Sequence, residues 1–216
     1  MTQNTASTYA ALYQEVLKPT AFALEKYLKE VLDKTARIDR ISARAKAPES
    51  FATKALKTNS DGTLKYFNPL VQIQDQIGAR ISVLFLSDFP KIKSAIDDYF
   101  HAVEWTEKKP DKDTEFSYFG EHYILKIPDD AIPEGLEGQA PEFFELQIKT
   151  LFQHAWSETS HDIGYKAPRE LNSLEVRKMA LSAAQAWGAD QIFKELEADI
   201  SASNDDDPPD ADCGKT

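Results

Sequence analysis

The chain alternates between two hydrophobic periods, and their boundaries predict most of its elements. From about Thr8 to Thr35 the apolar positions recur at helical spacing, with Leu24, Tyr27, Leu28 and Val31 on one face and charges opposite. Pro19 predicts a kink there or a division into two helices. The next run, RIDRISARAK, alternates with period two. Arg40, Ser42, Arg44 and Lys46 point one way and Ile41, Ala43 and Ala45 the other, a strand with one cationic face. Pro48 opens a short helix through ESFATKALK. Further strands are expected at ARISVLFL, HAVEWTE, HYILKIP and FFELQIKT, the last with Phe144, Leu146 and Ile148 on one face and Glu145, Gln147 and Lys149 on the other. A helix around PKIKSAIDDYF carries an apolar stripe of Ile92, Ile96 and Tyr99. From Leu151 to roughly Leu196 the pattern is helical, broken near Lys166-Ala167-Pro168. Interleaved strands and helices make an α/β or α+β sheet domain, and no internal repeat is visible.

Composition narrows the class. A length of 216 residues with 42% hydrophobic content suits one domain with a real core. No apolar run approaches the roughly 18 residues that span a bilayer. The start, MTQNTASTYAALYQ, lacks a basic region followed by an apolar stretch, so a soluble, cytoplasmic protein without a secretory signal is expected. The lone Cys213 excludes an internal disulfide framework and a thiolate zinc cluster.

Charge changes the picture more when it is divided than when it is summed. Twenty-five basic and 36 acidic residues give a net of −11, which argues against a non-specific nucleic-acid coat. Asp190 to Thr216 holds nine acids against two lysines, a net of −7 that leaves only −4 for the rest. Its end, SASNDDDPPDADCGKT, is short of side chains able to offset ordering entropy, so a disordered acidic tail is expected over 201–216. Lys34 to Lys57 holds seven basic residues and two acids, a local +5 that marks either an anion site or a solvated face. The expected division is therefore an N-terminal helical region (1–36), a sheet domain with C-terminal helices (37–200) and the tail.

The candidate chemistry lies on three polar strand faces, which present Arg44 with Lys46, Arg80 with Ser82, and Glu145 with Gln147 and Lys149. On one sheet they would line a cleft of cations and carboxylates, with Asp75 just ahead of the second strand. Such a mix suits a polyphosphate and a hard divalent ion. The alternative is an amphipathic sheet whose opposite charges merely pair across strands. The spacing of Arg44, Lys46, Ser50 and Lys54 brings cations, a hydroxyl and a helix start toward one anion. His154, Glu158 and His161 share a helix face, either as a metal-like trio or as a polar face under the cleft. Trp156 and Trp187 read as packing residues.

Five ordered blocks, SARAKAPESFATK, DQIGARI, FSYFGEHYIL, FELQIKT and HAWSETSHDIGYK, resemble the synthetase domain of the RelA/SpoT alarmone family, in particular its small single-domain members. The resemblance covers roughly Arg37 to Lys166. It implies an α+β fold, a mixed sheet flanked by helices and related to nucleotidyltransferases. The implied activity is transfer of the β,γ-pyrophosphate of ATP to the 3′-hydroxyl of GDP or GTP to make (p)ppGpp, with Mg²⁺. Carried onto this chain, it implies that Arg44, Lys46, Ser50, Lys54 and Arg80 bind ATP, and that Asp75 and Glu145 hold the metal. Glu145 would also serve as base to the acceptor hydroxyl. Tyr118, stacking on guanine, would bind the acceptor with His122, Gln147 and Lys149.

The acceptor loop departs from the family pattern Gly-Tyr-x-Ser-x-His. Here it reads Ser117-Tyr118-Phe119-Gly120-Glu121-His122, and Lys149 stands where arginine is more frequent. These departures leave room for a toxin-like relative that modifies the tRNA 3′ end or adenine nucleotides and is held by an antitoxin protein. A catalytically inactive nucleotide-binding regulator is a further alternative, disfavoured by the presence of both Asp75 and Glu145. No HD-type hydrolase region is visible, and the stripe Val176, Ala180, Ala183 and Trp187 fits either assembly into a homo-oligomer through terminal helices or core within the domain.

Overall fold

The computed structural model describes residues 3–35, 37–108, 115–116, 120–166 and 168–205. The N-terminal helical region is one continuous rod. Helix α1 (Gln3–Leu12) passes through a π-helical turn (Tyr13–Leu17) into α2 (Lys18–Leu32). Pro19 therefore neither breaks nor divides it. The chain widens one turn ahead of the proline, where the Lys18 N–H reaches back five residues to the Tyr13 carbonyl.

The sheet has the order β1–β2–β5–β4–β3, with β1 (Ile38–Ala45), β2 (Ile77–Val83), β3 (Ala102–Lys108), β4 (Gly120–Lys126) and β5 (Phe143–Thr150). Only β2 and β5 run parallel, so the sheet is mixed. Between the strands stand α3 (Pro48–Ala55), the single turn α4 (Pro69–Gln72) and α5 (Phe89–Tyr99). Two helices follow β5: α6 (Leu151–Lys166) and α7 (Ser173–Asp205).

The period-two strands bury the face their sequence assigned to the core. Ile41, Ala45, Ile77, Ala79, Ile81, Tyr123, Leu125, Phe144, Leu146 and Ile148 join one cluster with Leu24, Leu28 and Leu32 of α2 and Ile92 and Ile96 of α5. Tyr99 leaves that stripe: it is half exposed, and Ala95 takes the buried position, because the small side chain lets α5 approach the sheet. Strand β1 is an edge, and Glu25 of α2 accepts from the outward Ala43 N–H at 2.9 Å, covering a donor that would otherwise be open to another strand.

Helix α7 is fastened at two places. Arg37, just before β1, pairs with the buried Asp88 at 3.0 Å and with Glu197, and its guanidinium lies over the Phe85 ring. Deeper, the Thr150 hydroxyl donates to Asp190 at 2.7 Å. The Trp156 indole donates to Ser182, a packing role as expected. Of the stripe named above, Ala183 is buried in the domain, whereas Val176 and Trp187 are half exposed. The helix continues past Ser201 to Asp205, where the composition had placed the start of a tail. Ser201 to Asn204 contain no helix breaker, and the first proline is Pro208. Residues 206–216 lie outside the described residues.

Burial raises the Asp190 carboxyl to about 6, against which the Thr150 hydrogen bond works. The folded chain thus holds a proton that the unfolded chain releases near 4, so this contact loses stability as pH rises from about 4 to 6. Asp190→Asn keeps an acceptor for Thr150 and removes that loss. Its melting temperature should exceed the parent's at pH 7.5, by the equivalent of about 1–2 kcal/mol, and match it at pH 4. Thermal unfolding across this range checks it, and equal differences at both pH values would contradict it.

Candidate active site

Burying one face of β1, β2 and β5 forces the other faces into three cross-sheet rows. Arg44, Gly78 and Glu145 are directly paired neighbours. One pleat further on come Ser42, Arg80, Gln147 and His122, and after them Arg40, Ser82 and Lys149. The three polar faces do share one cleft. A cavity of about 540 Å³ opens there, lined by Arg44, Lys46, Ser50, Asp75, Arg80, Glu145 and Gln147 among others. Ser42, on the strand face already assigned to the cations, and His161, on the helix face placed under the cleft, also line it, whereas sequence reasoning missed Tyr13 and Gly78. Only Gly78 carried a signal, as a glycine inside a strand pattern.

Gly78 sits between Arg44 and Glu145, and a Cβ built on it would meet nothing within 4 Å. The glycine is not demanded by the backbone; it keeps the middle of the cleft open.

The cationic side is built from β1 and α3. Lys46 and Lys54 both contact Asp75 Oδ2, at 3.1 and 2.8 Å, while Asp75 Oδ1 is buried without a partner. The Tyr9 hydroxyl donates to the Lys46 carbonyl at 2.9 Å, and its ring stacks on Phe51 of α3 at 3.6 Å, tying the N-terminal rod to this corner. Three further buried polar atoms are left unpartnered: Gln76 Oε1, Arg80 Nε and Gln147 Oε1. Since buried polar groups are normally satisfied, those of Asp75, Arg80 and Gln147 on the wall of one cavity mark a place for a polar ligand. The Asp75 and Glu145 carboxylates fit a Mg²⁺ ion, which takes one or two protein carboxylates and completes its shell with phosphate oxygens and water.

Glu145 is held from two sides, by His122 Nδ1 at 3.1 Å and by the Gln147 side-chain amide, which donates at 2.9 Å. Burial alone would raise its carboxyl. The hydrogen bond and charge of His122, the Gln147 amide and the Lys54 charge outweigh it and bring the group down to about 2. Glu145 is therefore an anion throughout the working range of a cell.

Helix α6 closes the far side. Arg80 Nη1 lies 2.9 Å from His154 Nδ1 and donates to Glu158 at 2.8 Å. Burial and the Arg80 charge lower His154, which keeps its ring neutral and able to accept from the guanidinium. His154 and Glu158 thus clasp an arginine while His161 lines the cavity, and no group of three or more His, Cys, Asp or Glu side chains that could hold a metal ion exists among the described residues. Lys149 lies beneath the clasp, almost fully buried, and donates to Ser157 at 3.0 Å. Burial first, then the Arg80 charge, lowers it to about 7 against the pull of Glu158 and Glu145. An arginine here would impose a permanent charge that lysine can shed.

Two acceptor-loop departures find a structural reason. Gly120 has φ +131°, and a Cβ on it would come within 3.2 Å of the Ile148 carbonyl and 3.3 Å of Lys149 Cγ, so glycine is required where β4 closes over β5. Glu121 points to the face opposite His122, accepting from the Tyr123 hydroxyl at 2.6 Å and from the Trp105 indole. It does not enter the cleft. Tyr118 lies outside the described residues.

Filling the gap at Gly78 should separate folding from ligand binding. Gly78→Val adds a good strand former in open space, so the melting temperature should hold or rise by a degree or two, while nucleotide binding measured by calorimetry falls at least about tenfold. Unchanged affinity would mean the ligand does not cross the middle of the cleft.

The comparisons with known proteins agree with this fold. The model for the region found in RelA / SpoT proteins matches residues 43–170. No curated protein matches the sequence. A GTP pyrophosphokinase family protein from Streptococcus pneumoniae has a similar structure, with 18% identity, a TM-score of 0.71, and coverage of 97% of this chain and 100% of that one. The small alarmone synthetase 1 from Bacillus subtilis is likewise similar, at 18% identity, a TM-score of 0.72 and coverage of 93% and 100%. That synthetase is also known bound to its product pppGpp (20% identity, TM-score 0.66, coverage 92% and 100%) and to AMPCPP (17% identity, TM-score 0.67, coverage 93% and 100%). With the matched region spanning more than half of its length, the chain belongs to the RelA/SpoT family.

Proposed function

We propose that this chain is a pyrophosphokinase that moves the β,γ-pyrophosphate of ATP onto the 3′-hydroxyl of GDP or GTP, making (p)ppGpp and AMP. The observation that carries this reading is the meeting of a cationic cradle and two carboxylates in one cavity, with Gly78 leaving the space between Arg44 and Glu145 clear. Family membership and the structural likeness to a synthetase that binds pppGpp and AMPCPP support it.

In this reading Lys46, Ser50 and Lys54 take phosphate oxygens, Arg44 and Arg80 flank the donor nucleotide, and the α6 clasp fixes the Arg80 guanidinium in advance. Asp75 Oδ1 and Glu145 would hold Mg²⁺, which when bound neutralises phosphate charge as a Lewis acid. The acceptor oxygen forms its bond to the β-phosphorus as the bond from that phosphorus to the α,β-bridging oxygen breaks, and AMP leaves with the bridging oxygen. The hydroxyl proton passes to Glu145. A carboxyl held near 2 is a weak base toward a free hydroxyl, so it accepts this proton only as bonding to phosphorus acidifies the oxygen. Phosphoryl transfer through a loose transition state tolerates such late proton loss and depends chiefly on positioning. His122 and Gln147 orient the carboxylate toward the acceptor.

Purified protein supplied with Mg²⁺, γ-labelled ATP and, in parallel, GDP, GTP, ATP or deacylated tRNA tests this directly. Label is expected in guanosine tetra- or pentaphosphate, with AMP released. Label in tRNA or in an adenosine product would overturn the acceptor assignment, and no AMP release with any acceptor would overturn the enzymatic reading. Glu145→Gln should lower turnover by about a hundredfold or more while ATP affinity changes only a fewfold.

A further inference from the structure

Tyr13 belongs to no block that resembles the family, and it precedes the matched region by thirty residues. Yet it lines the same cavity as Arg44, Lys46 and Ser50, and it is the one aromatic side chain among the described residues on that wall. It reaches the cavity from the first position of the π-helical turn. Such turns are rare inside helices and recur at functional sites.

The turn reconciles two demands on one rod. On its N-terminal side Tyr9 is fully buried, stacked on Phe51 and hydrogen-bonded to the Lys46 carbonyl, which fixes that part of the helix against the phosphate corner. On its C-terminal side Leu17, Ala21, Leu24 and Leu28 pack into the core. Each helical residue turns the face by about 100°, so the extra residue of the wide turn lets both faces engage at once. Tyr13 follows Tyr9 by four residues and so shares its face, directed to the cationic corner.

The Tyr13 ring is half-buried, with Lys18 Nζ 5.8 Å from its centroid and Gln14 holding that ammonium. Its hydroxyl makes no hydrogen bond to the described residues. A phenol is a donor that seeks an acceptor, and the wall it shares also carries Arg44, Lys46, Ser50 and Arg80, donors of the kind that gather phosphate oxygens, with the Asp75 and Glu145 carboxylates among them.

We infer that Tyr13 is a donor-nucleotide-binding residue, its hydroxyl donating to the ATP polyphosphate beside Lys46 and Ser50, so that the N-terminal helix is part of the ATP site rather than a support for it. This rests on the pyrophosphokinase reading above. Because the residue would touch the donor and not the acceptor, its removal should act on one substrate alone.

The test uses the full chain and calorimetric titration with a non-hydrolysable ATP analogue and Mg²⁺, for the parent, Tyr13→Phe and Arg44→Met. Tyr13→Phe keeps the ring and its packing. Its affinity for the analogue should fall about tenfold, as the loss of one hydrogen bond to a charged acceptor implies. Its KM for ATP should rise alike, with the KM for the acceptor, kcat at saturating ATP and the melting temperature unchanged. Parent-like affinity of Tyr13→Phe, with binding lost in Arg44→Met, would overturn this inference and leave the functional reading standing. A rise in the acceptor KM equal to that for ATP would also overturn it. No binding of the analogue by the parent would overturn the functional reading itself.

Discussion

The site depends on one constraint, the pleat of three neighbouring strands whose apolar faces are fully buried. Ile81, Leu146 and Ile148 have no exposure to solvent, and a slip of one residue in β2 or β5 would carry all of them to the wrong side. With the register fixed this way, Glu145 has to lie beside Gly78, and Gln147 beside Arg80 and His122. The catalytic geometry is therefore a by-product of core packing. That is an economical way to hold charged groups that repel or desolvate one another, because the energy that locates them comes from the opposite face of the sheet.

Charge in the cleft is organised by pairing across elements rather than within them. Asp75 is placed by lysines from a strand end and a helix, Glu145 by a histidine from the next strand, and Arg80 by a helix that follows the whole sheet. Each pair leaves something over: an oxygen on Asp75, a nitrogen on Arg80, an oxygen on Gln147. A buried network that is incomplete at several atoms facing one cavity costs stability, and under the proposed function a polyphosphate with its metal would complete it. Lys149 fits the same logic in another form. Its burial makes the charged state costly, so a cation is available there when an anion arrives and is partly suppressed when none is present.

Much of this was legible in the sequence because it rests on alternation. RIDRISARAK and FFELQIKT state their two faces outright, and Asp75 and Glu145 stand out once the faces are assigned. What the sequence hid was contact across long separations. Nothing in HAWSETSH says that His154 and Glu158 clasp Arg80, 74 and 78 positions away; period alone leaves them as a polar face under the cleft or a metal-like trio, without naming the partner. Glu121 looked like an intrusion into the acceptor side, and only strand polarity in β4 turns it toward Tyr123 and Trp105. Pro19 read as a break, yet the helix absorbs it one turn earlier by widening, a solution that residue-level propensity does not encode.

The N-terminal rod, which precedes the family-matched region, is tied to the corner of the cavity by a buried side chain. A helix packed on the sheet needs only its apolar stripe, which Leu24 and Leu28 supply. Tyr9 goes further: it spends its hydroxyl on the carbonyl of Lys46, a residue whose side chain contacts Asp75. Burial raises the phenol, followed by the charge of Asp75, so the proton that makes this bond is kept at every accessible pH. Any shift of the rod would therefore move the Lys46 backbone, and with it the ammonium that shares Asp75 with Lys54. The cationic corner is thus set jointly by the strand and by a helix that precedes it in the chain. A partner that bent or displaced this helix would act on that cationic corner directly, without touching a carboxylate.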